Sequence, residues 1–157
     1  MRFTHKGFTL IELLIAAGTV AIALGGILHF FIYCSALGEV SGNFTFAMSE
    51  AQSRLEEIRN HDFLSIVGDY GPGGSPGNTF SLAHGNGVGV IFIENSNPKL
   101  LKIKIVVSWR NKNNRVVGED KNLNGVFEIG LGEDLNGNNK LDSPTTLVSL
   151  ISKKYGT

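Results

Sequence analysis

The chain has very few of the residues that usually cross-link or interrupt a fold. It contains one cysteine among 157 residues, Cys34, so an intrachain disulfide is excluded. The first of its four prolines is Pro72, so no proline interrupts the helix predicted for the N-terminal part. Acidic and basic residues balance at 14 each, and no overall positive charge indicates a nucleic-acid partner. The length suits one membrane anchor and one compact domain.

Charge is missing altogether from a long segment near the N-terminus. From Leu13 to Leu37 there is no Asp, Glu, Lys or Arg over 25 residues. As a helix this segment would be about 37 Å long, and the hydrocarbon core of a bilayer is roughly 30 Å thick. Arg2 and Lys6 precede the segment, and the positive-inside rule places that end in the cytoplasm. The sequence therefore predicts a single membrane pass with the C-terminal part outside the cytoplasm.

One carboxylate, Glu12, lies at the start of this apolar stretch. A charged group inside the membrane is costly, so it usually has a function and a partner. The surrounding sequence is Lys6-Gly7-Phe8-Thr9-Leu10-Ile11-Glu12-Leu13-Leu14-Ile15-Ala16. Its basic leader, Gly-Phe junction, glutamate spacing and apolar run resemble the class III signal of type IV pilins and type II secretion pseudopilins.

The resemblance implies that a prepilin peptidase cuts between Gly7 and Phe8 and methylates the new N-terminus at Phe8. Glu12 would then neutralise the N-terminal amine of a neighbouring subunit, which makes both charges tolerable in lipid. The implied partners are this peptidase, other pilins or pseudopilins, and an inner-membrane assembly platform. The implied location is the bacterial inner membrane, followed by a pilus or pseudopilus. A conventional secretory signal, cleaved after the apolar run, and an uncleaved signal anchor are the competing interpretations.

The resemblance also implies an α+β, pilin-like fold in which a long N-terminal helix packs on a small antiparallel sheet. We expect a leader at 1–7, a hydrophobic helix at 8–37, an amphipathic helix at 38–60 and a β-rich head at 61–157. The amphipathic part has apolar residues at steps of three and four, typical of a helix lying on a core. These residues are Val40, Phe44, Ala47, Ala51, Leu55 and Ile58.

In the head, residues 68–89 contain eight glycines and two prolines, a composition typical of a loop. Strands are predicted at 88–94, 100–109 and 145–153. In the second, apolar residues from Leu101 to Trp109 alternate with Lys102, Lys104 and Ser108, the pattern of a half-buried strand. Trp109 is therefore expected in the core or at the sheet edge. An Asp- and Asn-rich insertion at 110–144 would separate the last two strands.

Oxygen-bearing side chains occur at alternate positions in this insertion, twice, fourteen residues apart. Such spacing, with a turn at the sixth residue, resembles an EF-hand-type calcium loop. The first expected ligand set is Asp120, Asn122, Asn124, the Val126 carbonyl and Glu128. The second is Asp134, Asn136, Asn138, the Lys140 carbonyl and Asp142. Carboxylates and carboxamides suit a hard cation, so calcium is the expected cofactor, as one or two ions.

Both loops depart from the EF-hand pattern. The glutamate expected at the twelfth position is replaced by Leu131 and Thr145, and Asn139 replaces the turn glycine of the second loop. Glu133 could supply the missing carboxylate after a bulge, in which case the sites share ligands or merge into one. The alternative is a solvated loop of Asx turns without an ion.

No nucleophile elbow, phosphate loop or pair of catalytic carboxylates is present, so an enzyme is not expected. From Lys99 to Arg115, across the second predicted strand and the residues after it, six basic residues occur without an acid, and this basic block could attract DNA phosphates. We favour a solvated strand face, or a partner for the acidic insertion, so nucleic acid is not an expected ligand. The block comprises Lys99, Lys102, Lys104, Arg110, Lys112 and Arg115.

The sequence thus predicts a structural subunit, a minor pilin or pseudopilin, of a type IV pilus or type II secretion filament. Its head would carry a calcium-stabilised loop. The alternative function is a tip-displayed calcium-dependent adhesin or a DNA-uptake pilin. A further alternative is a signal-anchored protein that joins no filament.

Overall fold

The computed structural model describes residues 7–83, 87–112 and 114–153. Most of the predicted leader, including Arg2 and Lys6, lies outside the described residues. The chain divides into two compact units, one ending at Ser41 and one beginning at Gly42. Its secondary structure is α+β, as predicted, with a long N-terminal apolar helix and a small antiparallel sheet.

Helix α1 spans Leu10–Arg59, close to the predicted limits of residues 8 and 60. Thr9 precedes it as the N-terminal cap: the Glu12 amide donates to Thr9 Oγ1 at 3.3 Å, and the Leu13 amide donates to Thr9 O at 3.2 Å. In the first unit every described residue from 7 to 38 is exposed. By length and composition this helix could cross a membrane.

The second unit begins with the amphipathic part of α1. Four members of the predicted apolar stripe are buried: Ala47, Ala51, Leu55 and Ile58. Phe44, although 38% exposed, has its ring centroid 6.4 Å from that of Trp109 in an edge-on arrangement. The stripe prediction is thus confirmed from Ala47 onward, since the side chains before it lie largely exposed.

The remaining elements are short, apart from three strands. Helix α2 spans Ile66–Asp69, β1 Thr79–Ser81, β2 Gly87–Asn97, β3 Leu100–Arg110, β4 Val116–Val117 and β5 Thr145–Ser152, with a 3₁₀ turn at Ile129–Leu131. All pairings are antiparallel. Strand β3 lies between β2 on one side and β4 with β5 on the other, and β1 pairs with β2. The three predicted strands are confirmed to within three residues at their ends.

One face of the sheet forms the main core with α1. The alternating residues of β3 lie on this face, and all are at most 5% exposed, including Trp109. Burying such side chains contributes about 25 cal/mol per Å² of apolar surface removed from water. The predicted position of Trp109 in the core is confirmed.

The loop predicted at 68–89 is wrong in part, because it contains β1 and the first residues of β2. Phe80 of β1 is 8% exposed and pairs with Gly89. A Cβ atom at Gly89 would lie 2.1 Å from Phe80 Cζ, closer than any real contact. This glycine is therefore explained by close packing of an aromatic ring on a strand rather than by a turn.

The second face of the sheet is only partly solvated, which corrects the prediction of a half-buried β3. Val106 and Ser108, predicted or implied to face solvent, are 0% and 2% exposed. The acidic insertion covers the part of this face around Val106. There Phe127 and Leu141 pack against Val106 and its cross-strand neighbour Val90. Alternation in a strand shows which residues share a face, but it cannot show what lies over each face.

Candidate metal centre

The insertion consists of two consecutive fourteen-residue repeats, beginning at Gly118 and at Gly132. Each repeat starts Gly-Glu-Asp and continues with Asn at its fifth and seventh positions. Sequence reasoning found the alternate oxygen ligands but missed the leading Gly-Glu pair, although its recurrence after fourteen residues could have revealed it.

The backbone follows the same path in both repeats. Left-handed φ values occur at equivalent positions: 108° and 70° at Gly118 and Gly132, and 77° and 56° at Gly125 and Asn139. A third equivalent pair is Leu123 with φ 59° and Gly137 with φ 74°. Asparagine tolerates this region better than other non-glycine residues, so Asn139 replaces the turn glycine without changing the path, as its sequence position suggested.

In the first repeat, a buried aspartate organises the loop. Asp120 is 0% exposed, and its two carboxylate oxygens accept hydrogen bonds from the backbone amides of Asn124 at 3.1 Å and Gly125 at 2.8 Å. Asn124 Oδ1 in turn accepts from the amide of Val126 at 2.7 Å. The loop is therefore closed by side-chain oxygens that bind its own backbone.

Three further side chains of this loop converge on one point. The carboxamide nitrogens of Asn122 and Asn124 both donate to Glu128 Oε2, at 2.7 and 2.9 Å. Rotating an asparagine amide exchanges its oxygen and nitrogen positions. Rotated in this way, the two side chains would direct oxygens toward a cation beside Glu128, and they would give up the hydrogen bonds that Asn122 Oδ1 and Asn124 Oδ1 accept from the amides of Asn124 and Val126.

The second repeat reproduces these contacts. Asp134 accepts from the amides of Asn138 and Asn139, both at 3.0 Å, and Asn138 Oδ1 accepts from the Lys140 amide at 2.8 Å. The carboxamide nitrogens of Asn136 and Asn138 donate to Asp142 Oδ2, at 3.3 and 2.6 Å. All ten predicted ligand residues thus lie in two equivalent loops, five in each.

Two buried glutamates link the repeats by a crossed arrangement. Glu133, which opens the second repeat, accepts from the backbone amides of Lys121 and Glu128 in the first repeat, at 3.1 and 2.9 Å. Glu119, which opens the first repeat, accepts from the amides of Leu135 and Asp142 in the second, at 3.1 and 2.9 Å.

This crossing bears on the interpretation of Glu133 as a missing ligand. Glu133 does reach the first loop, but both of its oxygens bind backbone amides there, and the side chain is 0% exposed. Each glutamate therefore fixes the ends of the other repeat's loop. The insertion is one interlocked unit, and neither half keeps its contacts without the other.

The electrostatic environments of the two loops differ. Burial raises the pKa of Asp120 above its ordinary value, despite the amides of Gly125 and Asn124 that favour the ionised form. The hydrogen bond from Lys104, aided by Asn138, lowers the pKa of Asp142 to about 2. Lys104 Nζ lies 2.7 Å from Asp142 Oδ1. The second loop therefore already holds a cation of the protein itself.

The donor set fits a hard divalent cation. Each loop brings together two carboxylates and two carboxamides, all oxygen donors of the type that calcium prefers. The described residues contain no cluster of three or more His, Cys, Asp or Glu side chains suited to a metal, so carboxamides would have to complete each coordination sphere. Val126 and Lys140, expected to offer their carbonyls, lie at equivalent places in the two loops.

The N-terminal site residues lie at the start of α1. Gly7 and Phe8 precede the helix, and Phe8 is 83% exposed. Glu12 occupies the third helical position, and Thr9 Oγ1 approaches its carboxylate at 3.5 Å. Thr-x-x-Glu at a helix start is the sequence pattern of a capping box, and here the Thr9 hydroxyl contacts both the amide and the carboxylate of Glu12. Sequence reasoning missed this local contact.

The basic block is not a continuous patch of unpaired cations. Lys102 pairs with Glu94 at 3.1 Å, and Arg110 donates to Asn114 at 2.9 Å. Lys104 pairs with the acidic insertion, one of the two interpretations favoured from sequence.

No family model matches the chain, and comparisons with curated proteins and with solved structures found no match.

Proposed function

We propose that the chain is a pilin-like structural subunit, a minor pilin or pseudopilin, of a type IV pilus or type II secretion filament. The observation that carries the proposal is the first half of α1, whose apolar side chains are exposed along its whole length. Leu13, Ile22 and Phe31, for example, are 67%, 79% and 71% exposed. Such a surface needs lipid or other apolar helices around it, and a filament subunit passes from one to the other.

Maturation in this proposal begins at the Gly7–Phe8 bond, which a prepilin peptidase cleaves before methylating Phe8. The bond lies outside α1, in exposed chain, where a protease can reach it. The mature subunit stays in the inner membrane, with its head outside the cytoplasm, until the assembly platform adds it to a filament. Glu12 and the amine of a neighbouring subunit compensate each other in the apolar surroundings.

Cleavage is tested by co-expressing the chain with a prepilin peptidase and determining the N-terminus by mass spectrometry. The product should begin with methylated Phe8, and Gly7→Ala should reduce its yield at least tenfold. Gly18→Ala is the matched control, since a Cβ meets nothing within 4 Å at either glycine. A full-length product from the unchanged chain contradicts the proposal.

A second experiment separates the two explanations of Glu12. If Glu12 serves assembly, Glu12→Ala should abolish cross-linking to other pilin-type subunits, whereas Thr9→Ala, which removes only the cap, should leave it nearly unchanged. If Glu12 serves only the capping box, the two variants should behave alike. Equal behaviour would therefore remove the assembly function from the proposal.

The head in this proposal binds one or two calcium ions in the insertion, with the weak affinity of extracellular sites. The ligands are those of the two equivalent loops described above. Binding requires the carboxamides to turn their oxygens inward and then orders a segment that no disulfide holds. Calcium that binds only the folded state raises the melting temperature by mass action.

The calcium proposal is tested by melting the full chain in detergent with calcium or with magnesium at equal ionic strength. Calcium alone should raise the melting temperature by several degrees, because magnesium demands a smaller, more regular shell. Asp120→Asn with Asp134→Asn should abolish the rise. Glu56→Gln with Glu94→Gln removes the same charge from exposed pairs elsewhere and should preserve it. If calcium does not raise the melting temperature of the unchanged chain, the insertion binds no ion.

A further inference from the structure

Strand β5 presents a long open edge. It pairs with β3 along its whole length, and no strand among the described residues pairs with its other side. The opposite edge of the sheet is different, because β1 covers part of β2, and the uncovered part carries Glu94 and a break in register between Glu94 and Asn97. Charges and bulges of this kind protect edges from further pairing.

None of these protective features occurs in β5. Its eight residues, Thr-Thr-Leu-Val-Ser-Leu-Ile-Ser, contain no charge and no proline. Its register with β3 is continuous from Thr145 opposite Val107 to Ser152 opposite Leu100. A regular, uncharged edge of this length is a surface on which another strand can add.

The free main-chain groups follow from the alternation of an antiparallel pair. The Lys153 amide donates to Lys99 O at 2.9 Å, so odd-numbered residues of β5 are those bonded to β3. The even-numbered residues therefore direct their N–H and C=O groups to the open side. Two of them also expose apolar side chains: Val148 is 53% and Leu150 60% exposed.

We propose that β5 pairs antiparallel with β5 of a second copy of this chain, about a twofold axis at Ser149. This register joins open main-chain groups of both copies and places Val148 of one copy opposite Leu150 of the other, twice. Apolar cross-strand pairs of this kind stabilise a sheet. The strand is self-complementary because a sequence without charge meets no like charge when it faces itself.

The pairing depends on neither the anchor nor the calcium loops. It predicts that the two Ser149 residues face each other as a non-hydrogen-bonded pair, with Cα atoms about 4.5 Å apart. That separation lies within the range that a disulfide bridges. A cysteine at this position therefore reports the proposed geometry directly.

The first test uses the full chain in detergent, with Cys34→Ser to remove the native thiol and Ser149→Cys as the probe. Mild oxidation should give a disulfide-linked dimer as the main product. Ser96→Cys, on the uncovered part of β2, is the control and should give at least tenfold less. Equal yields at the two positions, or no dimer at Ser149→Cys, would overturn the proposal.

The second test needs no cysteine and keeps the proposal testable if Ser149→Cys disturbs the contact that Arg59 makes to Ser149 Oγ. Leu150→Lys should weaken dimerisation at least tenfold in analytical ultracentrifugation. Leu131→Lys is matched in exposure, at 59% against 60%, and should leave it unchanged. The pairing is contradicted if the unchanged chain is monomeric or if the dimer persists in Leu150→Lys. It is also contradicted if β5 pairs only with a strand of a different protein.

Discussion

The two repeats of the insertion share one pattern of hydrogen bonds but differ in how far their residues are buried. Asp120 is buried, and the turn glycine Gly125 packs so closely that a Cβ there would lie 2.7 Å from Thr79 Cγ2. Asp134 is partly exposed, and Asn139 at the equivalent turn is exposed. The comparison shows that the local sequence determines the backbone path of each loop. The position of the loop against the sheet determines how much that loop contributes to the stability of the head.

The repeats also differ in the charge beside them. Lys104 of β3 donates to Asp142 of the second repeat, and no lysine or arginine ion pair is found at Glu128, the equivalent residue, among the described residues. A cation entering the second loop must compete with Lys104 for the same carboxylate. We therefore expect the first loop to be both the stronger contributor to stability and the stronger cation site.

The largest expected effect comes from removing the two organising aspartates one at a time. Asp120→Ala leaves the buried Gly125 amide without an acceptor, at a cost of about 1–3 kcal/mol, and removes one of two acceptors of the Asn124 amide, which keeps Asn122 Oδ1, at about 1 kcal/mol more. Asp134→Ala lets water replace the carboxylate and should cost about 1 kcal/mol. Urea denaturation without calcium measures both free energies of unfolding. Equal losses would show that depth does not separate the repeats.

The crossed glutamates should show effects of intermediate size, in the opposite repeat from the substitution. Glu133→Ala should speed amide hydrogen exchange at Lys121 and Glu128, and Glu119→Ala should speed it at Leu135 and Asp142. Each variant should cost about 2 kcal/mol of unfolding free energy, because two buried amides lose a charged acceptor. Faster exchange confined to the mutated residue's own repeat would contradict the crossing.

Calcium affinity should change less, and only at the second loop, when Lys104 is replaced. Lys104→Met keeps the side-chain length and frees Asp142, so calcium should bind the second loop about fivefold more tightly, as a partly exposed pair of about 1 kcal/mol allows. Isothermal titration calorimetry measures both sites. Lys102→Met, which breaks the pair with Glu94 instead, is the control. A gain at both loops, or at neither, would contradict this assignment of competition.

The smallest effect is a difference in acid sensitivity. The pKa of Asp142 is lowered from 3.8 to about 2, so its stabilising contribution is present above pH 3.8 and is lost as the pH falls toward 2. The pKa of Asp120 is raised, so its protonation favours the folded state and its ionisation opposes it as the pH rises past 3.8. Asp142→Asn should flatten the loss of stability between pH 4 and about 2 in calcium-free denaturation. An unchanged profile would show that Lys104 does not hold this carboxylate.

Much of the fold follows from local patterns in the sequence. The uncharged run predicted the long helix, and alternation predicted β3 with its buried side chains, because period and burial are linked directly in these elements. The sequence did not predict β1, since glycines around Phe80 have loop composition and only the ring packed on Gly89 explains them. It also missed the cover over Val106, because no local signal shows what lies on the second face of a sheet.

The two loops of the candidate metal site were predictable from the sequence, whereas the contacts between them were not. Alternate Asp and Asn residues indicated both loops, since each loop is built from contacts within a few residues. Glu119 and Glu133 bind backbone amides of the other repeat, between 5 and 23 residues away along the chain, so the spacing within one loop did not predict these contacts, although Glu133 was expected to reach the first loop as a ligand. Recognising the repeat unit as beginning two residues earlier, at Gly118, would have drawn attention to both.

The crossed glutamates also restrict how this segment can change in length. Deleting one fourteen-residue repeat would leave the other repeat without the glutamate that accepts its amides. The glutamate that remains would have no backbone amides to bind. A third repeat inserted between these two would separate each glutamate from the amides that it binds, unless the glutamate and amides of the added repeat took their place. We therefore expect the insertion to tolerate the gain or loss of two repeats together, and not of a single repeat.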